Sequence, residues 1–119
     1  MDDELMQPVQ SITTTTRSLL SEETGLLTPA QIRCTEAIDK AAWEITTVFI
    51  SLPEYQSAQA KTLLNFETRA NLNAIIGYAE LLLSGEDGPL NGDQEENVRS
   101  IRAQSRVLLA RLNDRVSAG

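Results

Sequence analysis

The chain has 119 residues, the size of one ordinary domain, and 41% of them are hydrophobic but only 4% aromatic. Its formal net charge of −7 argues against a nucleic-acid partner, since phosphate binding requires clustered Lys and Arg side chains. The absence of histidine excludes phosphohistidine chemistry, histidine-dependent catalytic triads and His-ligated zinc sites, and the single cysteine excludes an internal disulfide and thiolate metal sites.

The hydropathy of the sequence and its first residues bear on location. No apolar run approaches the roughly 20 residues that a membrane span requires. The first residues, MDDELMQ, are acidic where a signal peptide would be basic and then apolar. The one cysteine, Cys34, is expected to be an ordinary small helix residue in a reducing compartment. We therefore expect a cytoplasmic protein with no membrane insertion, no metal and no cofactor.

The sequence contains an internal repeat. Shifted by 63 positions, residues 3–52 align with residues 66–115 without a gap. The identical pairs fall on the apolar helix positions and in the turns, where geometry is decided, so we interpret the repeat as a duplication of one structural unit. These pairs are Glu4/Glu67, Ile12/Ile75, Leu19/Leu82, Leu20/Leu83, Ser21/Ser84, Glu23/Glu86, Gly25/Gly88, Leu27/Leu90, Gln31/Gln94 and Ile38/Ile101.

The first unit has the pattern of a helical hairpin. Its outgoing helix is predicted to end near Ser21, because the turn sequence EETGLL follows. Thr28 and Gln31 then form a capping-box pattern around Pro29, which predicts the start of the return helix. Apolar positions step by three and four, as in the seam of a helical bundle. They are Leu5, Val9, Ile12, Thr16 and Leu19, then Ile38, Ala41, Ala42, Ile45, Val48, Phe49 and Leu52.

The second unit repeats this pattern with a longer beginning. Ser51-Leu52-Pro53-Glu54 resembles a helix start, so residues 53–65 are predicted to begin a third helix that is the longest or carries a break near its start. The turn GEDGPL follows Ser84, and Asn91 and Gln94 form the second capping box. The predicted seam residues are Leu64, Thr68, Leu72, Ile75, Ala79 and Leu82, then Val98, Ile101, Ser105, Leu108 and Leu112.

Together the two units predict an all-α fold. One hairpin of amphipathic helices cannot bury its own apolar stripe, whereas two hairpins can bury both stripes in an antiparallel four-helix bundle. Each buried Leu or Ile side chain contributes roughly 1.5–3 kcal/mol. We therefore expect residues 1–119 to form a single bundle with pseudo-twofold symmetry, made of the tandem hairpins 3–52 and 66–115.

The second unit resembles the dimerisation and histidine-phosphotransfer domain of two-component sensor kinases. Helices of that family typically read His-Glu-Leu-Arg-Thr-Pro-Leu-Asn-Ala-Ile-Ile-Gly, with a Glu-Leu-Leu stretch and a Gly-Pro-Leu turn after it. Here FETRANLNAIIGYAELLL and GEDGPLN match this pattern over residues 65–91, and SIRAQSRVLLARLND is similar in style. The first unit, DELMQPVQSI, matches more faintly. Because two subunits of that family form the bundle, the resemblance implies a dimer fused into one polypeptide.

The chain departs from the family where phosphate chemistry occurs. Phe66 and Asp3 stand at the two phosphoacceptor positions, and phenylalanine has no nucleophile. The threonine that many members use for dephosphorylation is replaced by Ala70. The helix-kinking proline is Asn71 in the second unit, although Pro8 retains it in the first. With no glycine-rich phosphate loop or ATP-binding domain in these residues either, we expect no autokinase activity from this chain.

Helical geometry predicts where a partner would bind. At about 100° per residue, Phe66 lies on the outer face of its helix together with Ala70, Asn73 and Gly77. In the kinases the equivalent strip receives the response-regulator domain, so these residues are candidates for partner docking. Trp43 also falls off the seam and is a further candidate. Alternatively, Phe66 packs against a helix end, the connecting segment or another subunit, and Trp43 covers the core edge. The equivalent strip of the first unit is polar: Asp3, Gln7, Gln10 and Thr14.

Three functions are compatible with these features. The first is a non-catalytic signalling module that binds a response-regulator receiver domain or a sensor kinase without phosphotransfer. The second is a structural dimerisation or spacer bundle that forms a homodimer. The third is a receiver-domain phosphatase, because Glu4 and Gln7 resemble the family's Glu-x-x-Thr/Asn element and an amide can orient a water molecule. We expect the first, with no enzymatic activity.

Overall fold

The computed structural model describes residues 3–51 and 57–118, with side chains for residues 4–51 and 57–114. These residues form four helices. The helices are α1 (Asp3–Leu20), α2 (Pro29–Ser51), α3 (Ala58–Ser84) and α4 (Gly92–Ala118). They confirm the predicted all-α, antiparallel four-helix bundle. The predicted seam residue Leu52 and residues 53–56 of the connection lie outside the described residues.

Each helix packs against two neighbours. Helix α1 contacts α2 and α4, and α3 contacts the same two helices, so α1 and α3 lie diagonally across the bundle. The bundle is elongated, with extents of 45 × 22 × 21 Å. The two hairpins, α1–α2 and α3–α4, therefore lie side by side around one core.

Most of the core consists of the residues predicted from the repeat, and Cys34 and Thr35 are buried in addition. Among the described seam positions, only Leu64 and Val48 are partly exposed, and the others are buried. Hydroxyl groups interrupt this apolar seam, but each of them donates to the carbonyl four residues earlier in its own helix, so burial leaves no donor unpaired. These bonds are Thr16 to Ile12 (2.6 Å), Thr35 to Gln31 (2.7 Å), Thr68 to Leu64 (2.9 Å) and Ser105 to Ile101 (2.8 Å).

Both predicted capping boxes are present. The amide of Gln31 donates to Thr28 Oγ1 at 3.1 Å, and the amide of Thr28 donates to Gln31 Oε1 at 2.8 Å. Asn91 and Gln94 form the same reciprocal pair at 2.9 and 2.8 Å. These bonds satisfy amide groups that a helix start otherwise leaves unpaired, and they fix where α2 and α4 begin.

The structure describes α3 from its N-cap onwards, and the predicted helix start at residues 53–56 lies outside the described residues. Ser51 is the last residue of α2, and the N-cap of α3 is Ser57, whose hydroxyl accepts from the amide of Ala60 at 3.0 Å. Residues 58–65 thus belong to α3, which has 27 residues, the same number as α4. Helix α3 also begins eight positions before Phe66, whereas α1 begins at Asp3, the position equivalent to Phe66 in the repeat.

Candidate functional site

The outer face of α3 carries an uncharged, exposed strip. We call Leu63, Phe66, Ala70, Ala74 and Gly77 the α3 strip. At about 100° per residue these positions lie within about 40° of one direction, opposite the buried seam of the same helix. All five are exposed, Phe66 by 70% and Leu63 by 58%. Since the solvent-facing side of a surface helix is normally polar, an apolar strip of this length marks a surface that can be covered.

Phe66 makes the largest apolar contribution to the α3 strip. Its ring, with Ala58, Gln59, Thr62 and Leu63, borders a shallow open hollow on the first turns of α3. All of these residues belong to the same helix, so no neighbouring helix of the described chain covers the ring. The alternative that Phe66 packs against another helix end is therefore not what the structure contains.

Gly77 lies on the strip without a structural reason. A Cβ atom added to Gly77 would meet no atom within 4 Å, and its backbone is not in the left-handed region. A glycine inside a helix costs roughly 0.5–1 kcal/mol relative to alanine. Neither packing nor backbone conformation within the described chain requires this cost. The absence of a side chain lets another molecule approach the α3 backbone closely.

A row of arginines lies beside the strip, on the face where α3 and α4 meet. Arg106 of α4 bridges to Glu80 of α3 at 3.1 Å. Arg102 and Arg99 lie one and two turns before Arg106 on α4, and Arg99 pairs with Glu95 at 2.6 Å. On α3, Arg69 lies three turns before Glu80 on the same flank. We call this surface the α3–α4 face; its charged residues are Arg69, Glu80, Glu95, Arg99, Arg102 and Arg106.

Trp43 belongs to a different surface. It is 62% exposed and lies over a groove of about 270 Å³ between α1 and α2. Arg17 and Asp39 form a long ion pair of 3.9 Å in this groove, and most of the remaining lining is polar: Gln10, Thr13, Thr14 and Thr46. Although α2 also packs against α3, Trp43 borders the groove on the side of α2 that faces α1, so the structure does not bring Trp43 together with Phe66. These two sequence-based candidates cannot form one site.

The other candidate residues lie at the start of α1. Asp3 is the first residue of the helix, and its side chain lies outside the described part of the chain. Glu4 and Gln7 are exposed on the first two turns. The backbone carbonyl of Glu4 accepts a hydrogen bond from the Arg111 guanidinium, which ties the start of α1 to α4. Asn73 is exposed on α3, between the α3 strip and the α3–α4 face.

The environment of Cys34 keeps its side chain in the protonated thiol form. Its thiol is buried and donates to Asp87 Oδ2 at 3.2 Å. Burial, and then the hydrogen bond and negative charge of Asp87, raise the pKa of Cys34 from its ordinary 9.0 to about 11. Because the thiolate is the nucleophile, a thiol with this pKa is unreactive at neutral pH.

Several residues of the α3 strip and the α3–α4 face were not predicted from the sequence. Leu63, Ala74 and the α4 arginines were not among the candidates. Two signals in the sequence could have found them. Extending the 100° periodicity along the outer side of α3 reaches Leu63 and Ala74. The 63-residue offset also places Arg99 and Arg102 opposite the acidic residues Glu36 and Asp39 of the first unit.

Helix length and hydropathy also bear on the environment of this surface. Among the described residues, no helix combines enough length with enough apolar character to cross a lipid bilayer. Comparisons of the chain with protein-family profiles, with curated proteins and with solved structures gave no match.

Proposed function

We propose that this bundle is a non-catalytic signalling module that binds a response-regulator receiver domain through the α3 strip, without phosphotransfer. The observation that carries the proposal is the uncharged, exposed outer face of α3 centred on Phe66. The position of Phe66 supports it, because the resembling kinase domains carry their phosphoacceptor there. In a chain without histidine, that surface can bind a partner but cannot accept phosphate.

The binding energy would come chiefly from Phe66 and Leu63. Both side chains are more than half exposed in the free chain, and covering a large apolar side chain contributes roughly 1.5–3 kcal/mol. The small residues Ala70, Ala74 and Gly77 continue the strip toward the turns and let a partner helix or loop come close to the α3 backbone. A few large anchors surrounded by small contacts are typical of protein interfaces. Such a module would act by occupying a receiver surface that kinases also use.

Titration of a panel of purified receiver domains against the full chain tests this proposal. At least one receiver domain should bind, and Phe66→Asp should abolish that binding while circular dichroism shows an unchanged helical content. Trp43→Asp is the matched control, because it places the same charge at a similarly exposed aromatic position on a different surface. Equal loss of binding in both variants, or binding that survives Phe66→Asp, would refute docking on the α3 strip.

A homodimer is the second candidate, since the same apolar strip can be covered by a second copy of the chain. In a twofold dimer, however, a patch faces itself. The arginines beside the strip face those of the other copy when the twofold axis runs perpendicular to α3, and their like charges disfavour that orientation. Sedimentation over a range of concentrations separates the two functions. A dimer that dissociates in Phe66→Asp supports self-association, and a strictly monomeric chain removes it.

A further inference from the structure

The two hairpins present faces of opposite charge, although their interiors are alike. The α3–α4 face carries four arginines and two glutamates, a net charge of +2, in a chain whose formal net charge is −7. Sixty-three positions earlier, the three α4 arginines correspond to Glu36, Asp39 and Trp43 of α2. Glu80 corresponds in the same way to Arg17. The duplication has therefore kept the seam and inverted the charge at three outer positions.

The positive charge of the α3–α4 face is only partly neutralised. Its two carboxylates are engaged by Arg106 and Arg99. Among the described residues, no ion pair includes Arg69 or Arg102, and both side chains are half-buried rather than extended into solvent. Since no described carboxylate pairs with these two guanidinium groups, they leave a net positive potential at the α3–α4 face.

The α3–α4 face adjoins the α3 strip. Together, the apolar strip and the arginines beside it have the composition of a binding surface. An apolar centre with a charged rim that includes arginine is typical of protein interfaces. The equivalent surface of the first hairpin differs in both elements, because its strip is polar and the one arginine of its groove, Arg17, is paired with Asp39. Its described strip residues are Gln7, Gln10 and Thr14, and its groove carries Asp39. A partner that fits one face therefore does not fit the other.

We propose that each chain binds one molecule of a carboxylate-rich protein partner, through the α3–α4 face and the adjoining strip alone. The proposal rests on the proposed function and specifies the charge and stoichiometry of that complex. Elsewhere the negatively charged chain repels an acidic partner, so electrostatic steering directs such a partner to the arginines. A symmetric kinase-like dimer offers two equivalent docking faces, and this pseudo-dimer offers one.

Isothermal titration calorimetry tests the proposal with the receiver domain that binds most tightly in the panel. The full chain is titrated at about 0.1 M and about 1 M salt, between which the screening length falls from about 10 Å to about 3 Å. Arg102→Glu should weaken binding roughly tenfold at the lower salt concentration and little at the higher one. The variant is expected to fold, because the new glutamate lies within one turn of Arg99 and Arg106 on α4.

Lys40→Glu is the matched control. It changes the net charge of the chain by the same amount, but it lies exposed on α2, away from the α3–α4 face. One partner per chain, salt-sensitive affinity and a selective effect of Arg102→Glu support the proposal. Two partners per chain, or equal effects of Arg102→Glu and Lys40→Glu, overturn it while leaving the proposed function in place. If no receiver domain binds at all, both the proposal and the proposed function are overturned.

Discussion

Gly77 and Gly88 show that the same residue type serves different purposes on the two sides of this molecule. Gly88 lies in the second turn with φ of 125°, and a Cβ atom there would come within 3.0 Å of Thr28 Cγ2 and 3.3 Å of Gln31 Nε2. Because Gly88 has no side chain, the second turn can pack closely against the start of α2. Gly77 is in an ordinary helical conformation with open space around it, so its glycine serves nothing inside the described chain.

Alanine substitutions separate these two roles. Gly77→Ala should raise the free energy of unfolding by about 0.5–1 kcal/mol, because alanine reduces the backbone entropy lost on folding. Gly88→Ala should lower it by about 1–3 kcal/mol, because an L side chain is strained at that φ and crowds Thr28. Urea denaturation monitored by circular dichroism measures both. A destabilising Gly77→Ala would show that this glycine has a structural role and would remove one support of the docking surface.

At the scale of elements, the two turns are joined by a network of hydrogen bonds that the capping boxes only partly explain. Gln31 Nε2 donates to the carbonyls of Gly88 and Pro89 at 3.0 and 3.2 Å, in the opposite turn. Across the pseudo-twofold axis, Gln94 Nε2 donates to the carbonyl of Leu26 at 3.0 Å. The cap residues take part as well, with Thr28 Oγ1 donating to Asp87 O at 2.7 Å and Asn91 Nδ2 to Thr24 O at 2.6 Å.

For Gln31 and Gln94, the hydrogen bond accepted by the side-chain oxygen was predictable from the sequence, and the hydrogen bonds donated by the side-chain nitrogen were not. The acceptor oxygen of Gln31 follows from the local Thr28–Gln31 pattern, which needs only four residues of sequence. The donor Nε2 finds its acceptors 57 and 58 residues away, and that contact exists only after the hairpins have met. A sequence pattern contains no information on which distant carbonyl comes within reach. In α3, Ser51 and Ser57 both have cap chemistry in the sequence, and the structure shows Ser57 as the N-cap.

Gln31→Ala and Gln94→Ala test how much this network contributes. Each substitution removes a cap acceptor and leaves carbonyls of the opposite turn unpaired, and each buried bond contributes about 0.5–1.5 kcal/mol. We expect each variant to lose about 2–3 kcal/mol of unfolding free energy in urea denaturation. The exposed Gln10→Ala is the control and should change it by less than about 0.5 kcal/mol. Losses as small as in the control would mean that the seam alone holds the turns together.

At the scale of the whole molecule, the residues of the core were predictable from the sequence, whereas the arrangement of the surface residues was only partly predictable. The apolar residues of all four helices recur at the spacing of an amphipathic helix, which can be read from the sequence. Packing of these apolar faces against each other then determines the bundle. The outer surface has no such constraint, because a solvent-exposed position tolerates most residues. The exposure of Phe66 followed from its angle on the helix, but the separation of Trp43 from Phe66 required knowing that Trp43 lies on the side of α2 that faces α1.

The division of the bundle into two hairpins leads to a last prediction. Fragments 1–54 and 55–119 each carry one seam, which a single hairpin cannot bury, so each fragment alone should have low helicity. Mixing them should restore the helical signal, with a thermal midpoint that rises with concentration, because the two chains must associate. The mixed pair should outcompete self-association of either fragment, since the Cys34–Asp87 hydrogen bond joins opposite hairpins. Circular dichroism of each fragment and of the mixture measures this. A fragment that folds alone as a monomer, with a concentration-independent midpoint, would contradict the shared core on which the fused-dimer interpretation depends.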